Sequence, residues 1–234
     1  MSRLDARLAL VTGATRGIGR AVAKRLAAEG AHVVLAGRTQ GALEELDDEI
    51  RATGGAATLV PLDLRRFDDI DRMGLGLHER FGKLDILVGN AGVLPLLMPT
   101  GHLDPETWQE ILDVNLTANW RLIRSLDPLL RRSDAGRAIF TTCGAGRDAG
   151  PYWNAFAAAK SGLEALIRCY AAEVAGTPIR ANLVDPGPVH TRLRNNAFPG
   201  EDKAHLKRPE DVTDPFIALA APDCTRTGDI IAVS

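Results

Sequence analysis

Cysteine is scarce in this 234-residue chain, and the three present, Cys143, Cys169 and Cys224, are an odd number with no CxxC or CxxH spacing. That excludes a disulfide framework and a zinc site, and fits reduced thiols in a cytoplasmic protein. The five histidines, His32, His78, His102, His190 and His205, lack HxxxH or HExxH spacing, so no catalytic metal is expected. No excess of one charge exists: the formal net charge is -2, which gives no electrostatic case for nucleic acid or an acidic membrane. No apolar run reaches the 18 residues of a membrane-spanning helix, and the short polar stretch Met1 to Ala6 has no targeting pattern. No repeat, low-complexity tract or Pro/Gly/Ser linker divides the chain, so residues 1–234 are read as one domain with a small-molecule partner.

What is present is the composition of an ordinary globular protein, 45% hydrophobic and 25% charged, arranged as short apolar runs alternating with longer helical patterns. The runs LALVTG, AHVVLAG, AATLVPLDL, KLDILVGNAG, GRAIFTTCG, PIRANLVDPG and GDIIAV predict about seven strands. Between them, helices are expected over about Gly17 to Glu29, Gln40 to Ala52, up to Phe81, Pro105 to Leu130, Tyr152 to Val174 and from about Pro209. Several strands are continuously apolar, the mark of a parallel sheet covered on both faces, so a doubly wound Rossmann-type α/β fold follows. The breaker-rich stretch Pro186 to Pro209 is the candidate lid, with the substrate loop at 188–208.

Between the first strand and first helix lies Thr12-Gly13-Ala14-Thr15-Arg16-Gly17-Ile18-Gly19, a turn in which glycines let backbone N–H groups and a helix N-terminus approach a pyrophosphate. Position makes the pattern informative, because a second apolar strand ends about 20 residues later, where ribose recognition belongs. That strand ends Leu35-Ala36-Gly37-Arg38, with no carboxylate for a ribose 2′-hydroxyl. Arg38, with Arg16 facing it across the loop, suits a 2′-phosphate instead, so NADP(H) is expected in preference to NAD(H).

With these residues placed, nearly the whole chain resembles the short-chain dehydrogenase/reductase family in its single-domain form. The resemblance implies that Asp63-Leu64 neighbours the adenine and that Asn90-Ala91-Gly92 shapes the nicotinamide side. It also implies that Pro186, Gly187 and Val189 pack against the nicotinamide, with Thr191 at its carboxamide or phosphate, and that Asn115 is the catalytic asparagine. Apart from Asn115, which falls in the expected helix over Pro105 to Leu130, each of these lies just beyond the C-terminal end of an expected strand, where open parallel sheets bind ligands. The segments Ala197 to Asp202 and Leu206 to Asp211 resemble a bacterial group of uncharacterised oxidoreductases in that family, while the usual Gly-Gly tail is missing.

The family's proton-transfer unit is Ser, twelve residues, Tyr, three residues, Lys. Counting back from Lys160 puts Phe156 at the tyrosine position and Cys143 at the serine position. Lys160 is implied both in catalysis and in holding the cofactor. In the family reaction a tyrosine hydroxyl passes a proton to or from an alcohol or carbonyl substrate while hydride moves at the nicotinamide. Phe156 has no such proton, and a thiol is a weaker hydrogen-bond donor than a hydroxyl. Three explanations stand open: a cofactor-binding pseudoenzyme, introduced inactivating changes, or another donor such as water ordered by Asn115 and Lys160. Tyr152, eight residues before Lys160, sits two helical turns away and does not replace the acid.

The helices carrying Trp108, Trp120, Leu163, Leu166 and Ile167 show more apolar surface than one sheet face covers. Together with the family resemblance, this implies a homo-oligomer, dimer or tetramer.

Overall fold

A computed structural model describes residues 3–233, and seven parallel strands form its single sheet. They are β1 (Leu8–Thr12), β2 (His32–Gly37), β3 (Ala56–Pro61), β4 (Ile86–Gly89), β5 (Arg137–Thr141), β6 (Arg180–Asp185) and β7 (Ile230–Ala232). Each expected strand is present, and the sheet runs in the order β3-β2-β1-β4-β5-β6-β7. The expected doubly wound α/β class is therefore the observed one.

Continuous apolarity in the strands has its cause in the two layers of helix. Leu8 and Leu10 of β1 join Val34, Leu87, Ala138 and Phe140 on one face, while Ala9 and Val11 join Val33, Leu35, Val88 and Ile139 on the other. The second face is covered by α1 (Gly17–Ala28) and α2 (Gln40–Ala52), through residues such as Val22, Leu26, Leu43 and Ile50. The first is covered by α3 (Phe67–Phe81), whose Ile70, Met73 and Leu77 recur at helical spacing.

The expected helix over Pro105 to Leu130 is α4 (Pro105–Leu112) and α5 (Ala118–Leu130), joined by one π-helical turn, Asp113–Thr117. Asp104 caps α4 by accepting from the Thr107 N–H at 2.8 Å, and Pro105 occupies the first helical position, where its missing N–H costs nothing. After β5, a single turn α6 (Ala145–Asp148) precedes α7 (Asn154–Glu173). The helix expected from Tyr152 starts two residues later, because Tyr152 and Asn154 have φ of 74° and 22°, outside the helical well.

On α7, Leu163 and Ile167 are fully buried against the sheet, which corrects the expectation that they add to an uncovered apolar surface. Trp108 and Trp120 do remain exposed. Beyond β6, the 188–208 stretch contains the short α8 (Arg192–Ala197). The helix expected from Pro209 is a 3₁₀ turn, Pro209–Val212, followed by α9 (Asp214–Ala220).

β1 pairs with both β2 and β4, and the chain winds outward from it in opposite directions. The crevice beyond the C-terminal ends of β1 and β4 is thus the switch point at which such sheets take ligands.

Candidate functional site

A cleft of about 620 Å³ opens at this edge of the sheet. From the glycine loop it is lined by Gly13, Thr15, Arg16, Gly17 and Ile18, and from the end of β2 by Arg38. Asp63 and Leu64 enter after β3, and Asn90, Ala91 and Gly92 after β4. Asn115, Cys143, Phe156 and Lys160 form its deep end, with Pro186, Gly187, Val189 and Thr191 closing it from the β6 side. Gly19 alone among the expected site residues does not line the cleft. It is buried beneath, where a Cβ would overlap the Gly13 carbonyl and the Asn90 amide, so its role is to let α1 approach β1.

The turn is held by side chains at the strand ends. Thr12 Oγ1 accepts from the Asn90 and Ala91 N–H groups at 3.0 and 3.2 Å, and Asn90 Nδ2 donates to the Thr12 carbonyl at 3.2 Å. Gly13 has φ +64°, and a Cβ there would sit 2.9 Å from the Ala91 Cα. The loop therefore presents bare backbone to the cleft, as approach of a pyrophosphate requires, and the residues fit a dinucleotide. Arg16 and Arg38 have no hydrogen bond or ion pair among the described residues, so both forks are open to an anion. Asp63 is committed elsewhere: a bidentate pairing with Arg65, Nε to Oδ1 and Nη2 to Oδ2, holds its carboxyl below the usual range.

At the deep end, Asn115 lies in the π-helical turn with no exposed surface. Its Nδ2 donates to the carbonyls of Val93 and Ile111 at 2.9 and 2.8 Å, and its Oδ1 accepts from the Val93 N–H at 3.3 Å. Its side chain is thereby spent in fixing the loop after β4. The extra residue of the π turn is what lets Asn115 reach that loop, a placement that plain 3.6-residue periodicity does not announce.

Lys160 Nζ donates to the Thr141 carbonyl at 2.8 Å. Burial pushes its ammonium below the usual lysine range, while Cys143, Glu164 and Asp185 pull it back. The Phe156 ring stands 5.6 Å from Nζ, is 4% exposed, and packs with Leu94, Ile111 and Ala159. Cys143 keeps its thiol protonated, because burial pushes its pKa up and outweighs the attraction of Lys160.

Tyr152 is 54% exposed and does not reach the cleft. His190 does line it.

Three features of the site are not apparent in the sequence. Trp153, Leu94, Leu193 and Ala197 give the deep end an apolar wall. Arg147 binds the buried carboxylates of Glu164 and Asp185, and Thr142 Oγ1 donates to Glu164 at 2.7 Å, bracing the segment that carries Cys143. Glu164, one turn after Lys160, was the available signal. The third is Arg192, the first residue of α8, which lines the cleft with Arg16 and Arg38.

The model of the short chain dehydrogenase family matches residues 7–202. The chain belongs to that family. An uncharacterised oxidoreductase of Escherichia coli K12, YciK, is 34% identical over 226 residues, spanning 95% of this chain and 89% of that one. A short chain dehydrogenase from Shigella flexneri 2a, solved in complex with NADP, superposes with a TM-score of 0.95 at 33% identity, covering 99% of this chain and 98% of its own. Another from Escherichia coli CFT073, complexed with NADPH, gives 0.93 at 34% identity with the same two coverages. No described helix is long and apolar enough to cross a membrane, and the described residues hold no cluster of metal-ligating side chains.

Proposed function

We propose that the chain is a single-domain, NADP(H)-dependent short-chain oxidoreductase of the cytoplasm, acting between an alcohol and a carbonyl, whose proton-transfer step is impaired. The observation that carries this reading is the joining, in one cleft, of two unpaired arginines at the ribose end with Asn115 and Lys160 at the chemical end. Absence of a carboxylate after β2 supports the preference for NADP(H) over NAD(H), as does each relative solved with NADP or NADPH.

The glycine loop and the N-terminus of α1 would hold the pyrophosphate, Arg16 and Arg38 the 2′-phosphate, and Leu64, Asn90, Ala91, Gly92, Pro186, Gly187, Val189 and Thr191 the rest of the molecule. When bound, the nicotinamide supplies or accepts hydride. Asn115 fixes the wall of the pocket, the 188–208 loop excludes water, and Lys160 offers a cation at the floor. Phe156 places a ring where the family places an acid, and Cys143 offers a weak donor to a carbonyl oxygen. Absence of a positioned acid costs about 10²- to 10⁴-fold in rate.

A second reading, a cofactor-binding pseudoenzyme with a sensing or structural role, is favoured by one observation: Phe156 is packed as a core residue against Trp153, with ring centroids 5.8 Å apart. Calorimetric binding of NADPH and NADH, followed by a screen of carbonyl turnover, separates the readings. Turnover above the uncatalysed rate carries the enzyme, and tight NADPH binding with none carries the pseudoenzyme. Exposed Trp108 and Trp120 support pairing of the α4/α5 face between subunits, and a monomer in light scattering would overturn that.

A further inference from the structure

Resting on the reading that the cleft takes NADP(H), we propose that Arg192 is a third phosphate contact, through which the cofactor's charge holds α8 closed over the substrate end. α8 is six residues long and touches both halves of the site. At one end its capping residue Thr191 accepts from the Arg194 N–H at 3.2 Å, and its methyl lies 3.3 Å from where a Cβ on Gly17 would stand. The lid is thus seated directly on the phosphate loop, with Arg192 the next residue.

At the other end the lid is latched to the start of α7. Arg194 clamps Glu201 with two hydrogen bonds of 2.8 and 2.6 Å and lies over the Phe198 ring at 4.1 Å. Phe198 meets Trp153 at 5.9 Å between centroids, and Trp153 meets Phe156 at 5.8 Å. Ala197, the last residue of α8, is buried in the same apolar cluster as Phe156. A rigid helix therefore links the phosphate loop to the pocket in which Phe156 lies.

Charge makes the link depend on ligand. Arg16, Arg38 and Arg192 face one cleft, and none has an ion pair among the described residues. From Pro186 to Gly200 no acidic residue occurs, and Glu201 is held by Arg194. Arg16 feels the cost: partial burial first, then the charges of Arg192 and Arg38, hold its guanidinium below the usual range. Lid and loop therefore repel without an anion, and a doubly charged phosphate between them turns repulsion into charge-assisted hydrogen bonds.

The test uses the full chain with Trp108 and Trp120 replaced by Phe, so that Trp153 is the one tryptophan left. NADPH should shift Trp153 emission and slow tryptic cleavage after the exposed Lys203, and 2′,5′-ADP should do the same in part. Arg192→Ala should raise the NADPH Kd at least about tenfold, the loss of one charge-assisted contact, and abolish the protection at Lys203, with Arg192→Lys recovering part of both. If the NADH Kd is unchanged, the contact is to the 2′-phosphate; if it rises equally, the contact is to the pyrophosphate. Wild-type NADPH affinity in Arg192→Ala, or cleavage at Lys203 indifferent to NADPH in the parent, overturns the proposal while the cofactor reading stands. A parent chain that binds neither nucleotide overturns both.

Discussion

Lys160 holds its ammonium 5.6 Å from the centroid of the Phe156 ring, a cation facing an aromatic at the position to which the proposed reading assigns the family's phenol. The contact is favourable in itself, since a cation within about 6 Å of a ring face is attracted to its quadrupole. It leaves the lysine without a hydroxyl to activate. Around it stand the Thr141 carbonyl on Nζ, the buried Asn115, and the open arginines at the far end of the cleft.

Cofactor preference is predicted to reside in the two arginines. Arg38→Ala or Arg16→Ala should raise the NADPH Kd by roughly ten- to hundredfold, since a hydrogen bond to a charged group contributes about 1.5–3 kcal/mol. NADH binding should stay within about twofold of the parent, because NADH has no 2′-phosphate to lose. Calorimetry on the two variants measures this, and equal losses for both nucleotides would reassign the arginines to the pyrophosphate.

Two glycines should respond in opposite directions to the same added methyl. Gly19→Ala drives a Cβ into the Gly13 carbonyl, so it should destabilise by about 1–3 kcal/mol and weaken both nucleotides. Gly41, in the first turn of α2, has open space around it, and Gly41→Ala should be neutral or stabilise by up to about 1 kcal/mol. Urea midpoints decide it. A Gly41→Ala loss equal to that of Gly19→Ala would refute the steric account.

The thiols should alkylate in order of exposure rather than of nearby charge. Cys169 is exposed, whereas Cys143 is held protonated by burial, so at pH 8 iodoacetamide should modify Cys169 well before Cys143. Peptide mapping over time reads the order. Cys143 reacting first would mean an activated thiolate, and would contradict burial as the control on its reactivity.

Lys160 should make stability depend on alkaline pH. Its folded-state pKa lies below the 10.5 of the unfolded chain, so between those values the unfolded chain binds more protons and stability rises with pH. Below the folded value the penalty is complete. Lys160→Met should therefore gain most over the parent at pH below the folded value, with the gain shrinking as pH rises toward 10.5. A difference that does not change with pH, measured by urea unfolding, would contradict burial as the cause.

Much of this was legible in the sequence, for physical reasons that differ by element. The seven strands were readable because both faces of each are covered, so Leu8–Thr12 or Ile86–Gly89 need no polar alternation. The site was readable because Gly13, Arg38, Asn90 and Pro186 each follow a strand, and parallel strands bring their C-terminal ends together. Three things were not. The π turn at Asn115 depends on hydrogen bonds to Val93, 22 residues away. The start of α7 depends on left-handed backbone at Tyr152 and Asn154, residues with no glycine signature. Arg192 became visible only when α8 was folded against the glycine loop, since nothing in its neighbours' spacing points to a phosphate.

The central claim is that a complete cofactor site stands beside a catalytic site lacking its acid. The most direct test is NADPH-dependent carbonyl reduction before and after Phe156→Tyr combined with Cys143→Ser, over a panel of apolar aldehydes and ketones. The account predicts that kcat/KM rises by about 10²- to 10⁴-fold, the contribution of one positioned acid, while the NADPH Kd stays within about twofold. Equal turnover in the two forms on a substrate that the parent reduces would contradict it, by showing that the proton comes from elsewhere.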